Sequence, residues 1–396
     1  MHKYLTILFF ALLALVSCGD NNDSPDSPKQ PVPLDKAEKT VLVFMPYTGN
    51  EAGGNNAGSG SLYYSLLNNI SDMETAIANN KGLGQAHLLV FISQDETTSH
   101  LLNIDYKKGK CVRDTLKTYK DSFYTSAEGL TSLLADMKYY APANSYAMIL
   151  GCHGEGWIPK YSTTRFFGGM KYQIDIADLA QAIKNAGTTM QYILFDDCYM
   201  SGIEVAYALR DATHYLIAST SEMMDYGMPY HKIMRYLLDI NPDYGALCDE
   251  FISFYKTYTM PYGTIAVTNT AYAEEMARLM LALNSAYTFD QDSIDKVQDL
   301  DVQHFNPTVY FDLGSYVRIL CANNPEAMSS FDQIASKLVP YKAATEKITS
   351  YSSWGAWPTV EVKEFSGLTI SDPSENKVAK DTKKQTEWWK ATHPTE

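Results

Sequence analysis

Apolar positions along this chain follow two rhythms. Short unbroken runs at 40–45, 88–92, 146–150 and 192–195 read as strands buried on both faces. Between them apolar residues recur at helical spacing. Leu66, Ile70, Met73 and Ile77 form one stripe within 62–78, and similar patterns cover 127–139, 174–186 and 202–209. A hairpin is expected over 103–112 around Lys107-Lys108-Gly109-Lys110, and a further strand over 215–218. Alternating strand and helix implies a mostly parallel central sheet covered on both faces, an α/β/α sandwich. From about Gly245 the rhythm turns mainly helical, over 276–287, 316–322 and 331–345, with a short apolar piece at 367–370. The expected organisation is an α/β domain over 39–244 and a C-terminal subdomain over 245–396 packed on the sheet.

The start of the chain changes where this domain is expected to work. Met1-His2-Lys3 is basic, 5–16 is apolar, and the run is too short to span a bilayer, so 1–17 reads as a signal peptide. Leu15-Val16-Ser17-Cys18 resembles a bacterial lipobox, which makes Cys18 the lipidation site and the chain membrane-anchored rather than membrane-spanning. Residues 18–38 carry little to bury and read as a disordered tether. Asp20, Asp23 and Asp26 resemble export signals of surface lipoproteins, so the expected location is the outer membrane or cell surface of a Gram-negative bacterium. A formal charge of −14 argues against nucleic acid as partner. Six cysteines show no C-x-x-C pair; with Cys18 lipidated five remain, and one free thiol is expected.

Two of the strand runs end on reactive side chains. The run at 146–150 leads to Cys152-His153-Gly154-Glu155-Gly156-Trp157, and the run at 192–195 leads to Asp196-Asp197-Cys198. Strands of one sheet would bring the imidazole and the thiol together where α/β sites form, and a base beside a thiol is the minimum for covalent acyl transfer. Gly154 and Gly156 leave the backbone unhindered, and such an amide can serve an oxyanion hole; Trp157 reads as packing. Cys198 is expected beside a helix N-terminus, where a thiolate is favoured. Cys152 competes as nucleophile, but neighbouring side chains on an extended chain point to opposite faces, which turns it away from His153. One of Asp196 and Asp197 is expected as a helix N-cap, the other as a carboxylate facing a basic substrate side chain. Asp225, in the loop 221–230, is placed on a second pocket wall. A metal site built from Cys152, His153, Asp197 and Cys198 fits no zinc spacing.

These residues, with Glu204-Val205-Ala206-Tyr207-Ala208-Leu209-Arg210-Asp211, the strand 215–219, Gly227-Met228-Pro229-Tyr230, Phe311-Asp312-Leu313 and the stretch 366–370, resemble the clostripain family of cysteine peptidases. The similarity covers most of the chain from Thr40 onward. It implies a caspase-like fold, a His153/Cys198 dyad, and an oxyanion hole from the Gly154 and Cys198 amides. It also implies cleavage of proteins or peptides after Arg or Lys, with Asp196 at the base of the S1 pocket. Members are commonly zymogens that cut themselves between histidine and cysteine. Arg165 is the preferred scissile residue here, and Lys160 the second. No cofactor is required, though calcium stimulates some members, and the expected state is a monomer, with two associated chains after cleavage. The chain departs from the family at Tyr47-Thr48-Gly49-Asn50 and at Gly227-Met228, which bears on subsite preference and calcium dependence. The rival class is a peptide- or glycan-binding module without turnover.

Overall fold

A computed structural model describes residues 31–46, 62–95, 97–120, 123–160, 173–322, 324–351 and 357–393. The expected signal peptide, Cys18, most of the tether and Arg165 lie outside the described residues. Pro33–Glu396 forms one unit; of Met1–Val32, only residues 31 and 32 are described.

In chain order the strands are β1 (Ala37–Met45), β2 (Ala86–Ser93), β3 (Ser99–Lys107), β4 (Lys110–Tyr119), β5 (Ala143–Leu150), β6 (Met190–Phe195), β7 (Thr213–Ala218), β8 (Thr264–Asn269), β9 (Phe311–Asp312), β10 (Tyr341–Ala344), β11 (Lys347–Thr349), β12 (Thr359–Glu361) and β13 (Thr369–Ile370). The helices are α1 (Leu62–Asn79), α2 (Ala127–Tyr140), α3 (Ile176–Asn185), α4 (Ile203–Ala208), α5 (Tyr230–Leu238), α6 (Tyr244–Tyr255), α7 (Ala273–Ala286), α8 (Leu313–Leu320), α9 (Pro325–Leu338), α10 (Lys377–Thr382) and α11 (Glu387–Thr392).

The main sheet runs β10-β8-β7-β6-β5-β1-β2-β3-β4. Its centre, from β7 to β2, is parallel, and each edge adds two antiparallel strands. Burial on both faces explains the unbroken apolar runs. In β1, Leu42 and Phe44 join Met148 and Leu150 on one face, while Val41, Val43 and Met45 join Ala147 and Ile149 on the other. Each of these Val, Leu, Ile, Met and Phe side chains taken fully out of water contributes about 1.5–3 kcal/mol. The first face is covered by α2, α3, α4 and α7, the second by α1, α5 and α6. The stripe Leu66, Ile70, Met73 and Ile77 is buried as its spacing requires. Lys108 and Gly109, at φ of 52° and 82°, make the two-residue turn between β3 and β4. Lys39, fully buried, caps the end of α5 by donating to Leu237 O at 3.3 Å and to Asp239 O.

Several boundaries differ from the sequence reading. Backbone pairing starts within the expected tether, where Leu34 N–H donates to Tyr140 O at 2.7 Å. The boundary at 244/245 falls inside α6, and β8 and β10 from the later part extend the main sheet. A helix expected over 331–345 ends at Leu338, because Pro340 cannot continue it, and β10 follows. Among the described residues Cys111, Cys248 and Cys321 are free thiols, where one alone was expected, since they sit at separate elements.

Candidate active site

Register brings the two reactive segments together. Leu150 of β5 pairs with Phe195 of β6, and Asp196 N–H donates to Leu150 O at 2.8 Å. The loops 151–154 and 196–198 therefore leave the sheet side by side, at the carboxyl ends of parallel strands and next to β1, where the connections change direction. They touch at Gly154. A Cβ there would lie 2.3 Å from Cys198 O and 2.8 Å from both Cys198 N and Asp197 Cβ, so only glycine permits the crossing. His153 and Cys198 line one cavity of about 430 Å³ with Cys152, Asp196 and Asp197. Asn69 from α1, Glu222, Met223, Asp225 and Gly227 from the loop after β7, and Trp357 also line it.

The surroundings of Cys198 differ from the expected helix N-terminus. Tyr199 adopts φ +61° and turns the chain, so that α4 begins only at Ile203 with Gly202 as its N-cap. Residues 199–201 instead run beside 219–221, with Tyr199 N–H donating to Ser221 O at 3.1 Å and Ser201 N–H to Ser219 O at 2.8 Å. This path brings Met223 N–H to 3.3 Å from Cys198 Sγ, a backbone donor for negative charge on sulfur. The half-buried thiol also points toward Met223 O, 3.8 Å away.

The paired aspartates divide roles, but neither caps a helix. Asp196 lies at the cavity floor, 8 % exposed, and accepts from Met228 N–H at 2.8 Å and Asn69 Nδ2 at 3.2 Å. Gly227, at φ +71°, makes room for this carboxylate, since a Cβ there would lie 2.7 Å from each oxygen. Burial raises the Asp196 pKa to about 7, against the lowering effect of the Tyr230 hydroxyl and the Met228 amide. Asp197 accepts from Cys152 N–H at 2.6 Å, with Cys152 Sγ 3.5 Å from its other oxygen. Burial pushes the Asp197 carboxyl well above its ordinary range. Cys152 is buried in the core face that also holds Leu150. Asp225 sits exposed at the rim, 3.4 Å from the Tyr258 hydroxyl. Lys160 lies outside the cavity lining, its ammonium 2.8 Å from Asp178 and 3.4 Å from Asp175.

The histidine loop is clamped from the far end of the chain. Trp157 Nε1 donates to Ser371 Oγ at 2.7 Å, and Tyr310 Oη donates to Glu155 O at 2.5 Å. His304 Nε2 lies 3.1 Å from Glu155 Oε1. Trp157 packs the loop as its reading had it, whereas sequence reasoning gave Glu155 no role and missed His304, Tyr310, Ser371, Asn69, Glu222, Met223 and Trp357. Glu222 and Met223 lie in the loop 221–230 already placed on a pocket wall, where no spacing singles them out. The others reach the site from elements far away in the chain, which periodicity does not reveal.

A sequence profile of the clostripain family matches residues 55–357. Among solved structures, the chain is similar to a secreted C11 cysteine protease of Bacteroides thetaiotaomicron, iotapain. The two are 42 % identical, with TM-score 0.82, covering 90 % of this chain and 100 % of the other. An inactive zymogen C11 protease from Parabacteroides distasonis is 27 % identical at TM-score 0.77, covering 92 % and 100 %. A clostripain from B. thetaiotaomicron in complex with the peptide inhibitor BTN-VLTK-AOMK is 47 % identical at TM-score 0.53, covering 57 % and 97 %. No curated protein matched. The sheet and its helix layers have the caspase-like arrangement of these C11 proteases. The family match, spanning three quarters of the chain, places it in the clostripain family, as a cysteine peptidase.

Proposed function

We propose that the chain is an endopeptidase that cleaves after Arg or Lys through a Cys198/His153 dyad. One observation carries this reading: the thiol and the imidazole open onto a single cavity whose floor is the Asp196 carboxylate. His153 takes the proton of Cys198, and the sulfur attacks the scissile carbonyl carbon. The N–H groups of Gly154 and Cys198 receive the developing oxyanion. The tetrahedral adduct collapses, the C–N bond breaks, and His153 gives its proton to the leaving amine. A water deprotonated by His153 then attacks the thioester, releases the acid and restores the thiol. The contact between Gly154 and Cys198 supports pairing their amides at one oxygen. Asp196 selects the basic side chain, with Asp225 as a further carboxylate at the rim. The inhibitor sequence VLTK bound by a relative, which ends in lysine, supports a basic preference.

The chain is made as a zymogen that cuts itself after Arg165, in the connection from β5 to β6. The inactive zymogen structure of a relative supports this. Lys160 is the second choice, because cleavage there must first break its ion pairs to Asp175 and Asp178. Export follows the reading of 1–17 and agrees with the secreted relative, and Cys18 carries the lipid anchor. The dyad needs no cofactor; calcium acts, where it acts, as a stimulant. The protein works as a monomer on proteins or peptides with exposed Arg or Lys. The test is hydrolysis of fluorogenic Arg and Lys peptides: Cys198→Ala and His153→Ala should each lose at least about a thousandfold in kcat/KM. Full turnover in Cys198→Ala would refute the mechanism.

A further inference from the structure

A buried cluster behind the cavity touches both flanks of the reactive pair. The His304 side chain is 9 % exposed and that of Glu155 3 %. His304 Nε2 lies 3.1 Å and 3.3 Å from the two Glu155 oxygens, and Glu155 stands two residues beyond His153. The same imidazole stacks on Tyr199, the residue after Cys198, with centroids 4.9 Å apart and planes at 24°. Tyr199 stacks in turn on Tyr310, at 5.3 Å and 17°, and the Tyr310 hydroxyl returns to Glu155 O. A closed circuit of contacts thus joins the loop of His153 to the loop of Cys198. Asp301 anchors it: its carbonyl accepts from His304 N–H at 2.9 Å and from the Tyr199 hydroxyl at 3.4 Å. Its carboxylate accepts from Val309 N–H at 2.5 Å.

Core packing alone explains stacked rings. It does not explain a buried imidazole–carboxylate pair, because apolar residues of similar volume would be equally or more stabilising. Nor does it explain why Tyr199, fully buried, holds φ +61°, a conformation that is costly for a bulky side chain and persists only where its surroundings enforce it. Gly156 closes the same circuit: a Cβ there would lie 2.5 Å from the Tyr310 hydroxyl and 3.0 Å from Tyr199 O.

We propose that His304 is a positioning residue of the peptidase, holding Glu155 and Tyr199 so that His153 and Cys198 keep a fixed separation. This rests on the dyad reading above. The test compares His304→Phe, which keeps a ring against Tyr199 but loses the hydrogen bond, with Glu155→Ala and Glu155→Gln, which retains an acceptor. Rates on an Arg peptide are normalised to the active fraction, titrated by irreversible alkylation of Cys198 and followed by mass. Per titrated site, kcat should fall about tenfold to a hundredfold in His304→Phe and Glu155→Ala, with KM within about twofold. Glu155→Gln should recover most of what Glu155→Ala loses. An unchanged kcat per site in His304→Phe, with any deficit explained by fewer active molecules, would overturn the proposal. Should the unpaired Glu155 prevent folding, His304→Phe/Glu155→Leu leaves no buried charge and is judged by the same criterion. Cys198→Ala separates the two readings. Turnover surviving in it refutes the dyad, whereas a normal His304→Phe beside a dead Cys198→Ala refutes the positioning role alone.

Discussion

Asp196 shows what one residue contributes when it is buried at the floor of an open cavity. Burial raises its carboxyl to about 7, so its charge changes near neutrality. Under the proposed specificity, an Arg or Lys side chain would need the ionised form. KM for basic peptides should therefore rise as pH falls through 7, and Asp196→Asn should raise KM while flattening that dependence. Steady-state kinetics from pH 5.5 to 8.5 would show it; an unchanged pH profile in Asp196→Asn would remove Asp196 from substrate binding. The same residue has an opposite effect on folding. Its folded pKa is raised from 3.8, so its neutral form favours the native state at low pH, and that contribution is lost as pH rises through 7. That loss runs from the unfolded value of 3.8 up to about 7, so Asp196→Asn should gain thermal stability relative to wild type at pH 8, gain less at pH 5, and gain none below pH 3.8.

At the scale of elements, β5 and β6 lie next to each other at the centre of the sheet, while the proposed cut falls in the connection between them. Cleavage removes no strand pairing, and the packing of α1 on α5 and of α2 on α3 also crosses from one fragment to the other. Purified active protein should thus give two bands under denaturing conditions but a single peak of intact mass by native size exclusion, whereas Cys198→Ala should give one band. Separation of the fragments without denaturant would contradict this account. These central elements were legible in the sequence because strands buried on both faces leave unbroken apolar runs. The stripe of α1 was legible for the corresponding reason, a single buried face. The hairpin edge of β3 and β4 was legible too, from its Lys-Gly turn, but the edge formed by β8 and β10 was not. β8 is six residues long with threonines breaking its apolar run, and β10 is four residues long and only partly covered, so their patterns resemble those of loops or helix ends. The reactive pair could be read because each member directly follows a strand. The walls could not, since Asn69 comes from a helix face and Trp357 from a segment 159 residues beyond Cys198.

Across the whole molecule, buried acids set the response to pH. Glu204 is raised to about 8 and Asp372 to about 7 by burial, and each has one oxygen with no hydrogen-bond partner among the described residues. With Asp196 they make the folded state bind more protons than the unfolded chain until pH passes 7 to 8. Cationic groups lowered by burial act oppositely, in other windows. His393, lowered to about 4 by burial, favours folding increasingly up to about pH 6.5, and Lys39, lowered to about 8, does so only above pH 8. The interval from pH 6.5 to 8 isolates the carboxyls, and Tm should fall across it by several degrees for a chain of this size. A rising Tm in that interval, measured by calorimetry, would show that these acids are ionised at lower pH than their burial implies.

The adjacency of β5 and β6 also has a genetic consequence. If the chain is cut at the proposed site, the histidine goes with the first fragment and the cysteine with the second, and neither piece holds both members of the proposed dyad. A His153→Ala protein and a Cys198→Ala protein, each nicked in the connecting loop by the active enzyme, are two dead parents with complementary halves. Unfolded together and refolded, they would pair at random, and the hybrids taking one sound half from each would hydrolyse peptide. Intragenic complementation, familiar from oligomers with shared sites, would here occur within what began as a single chain.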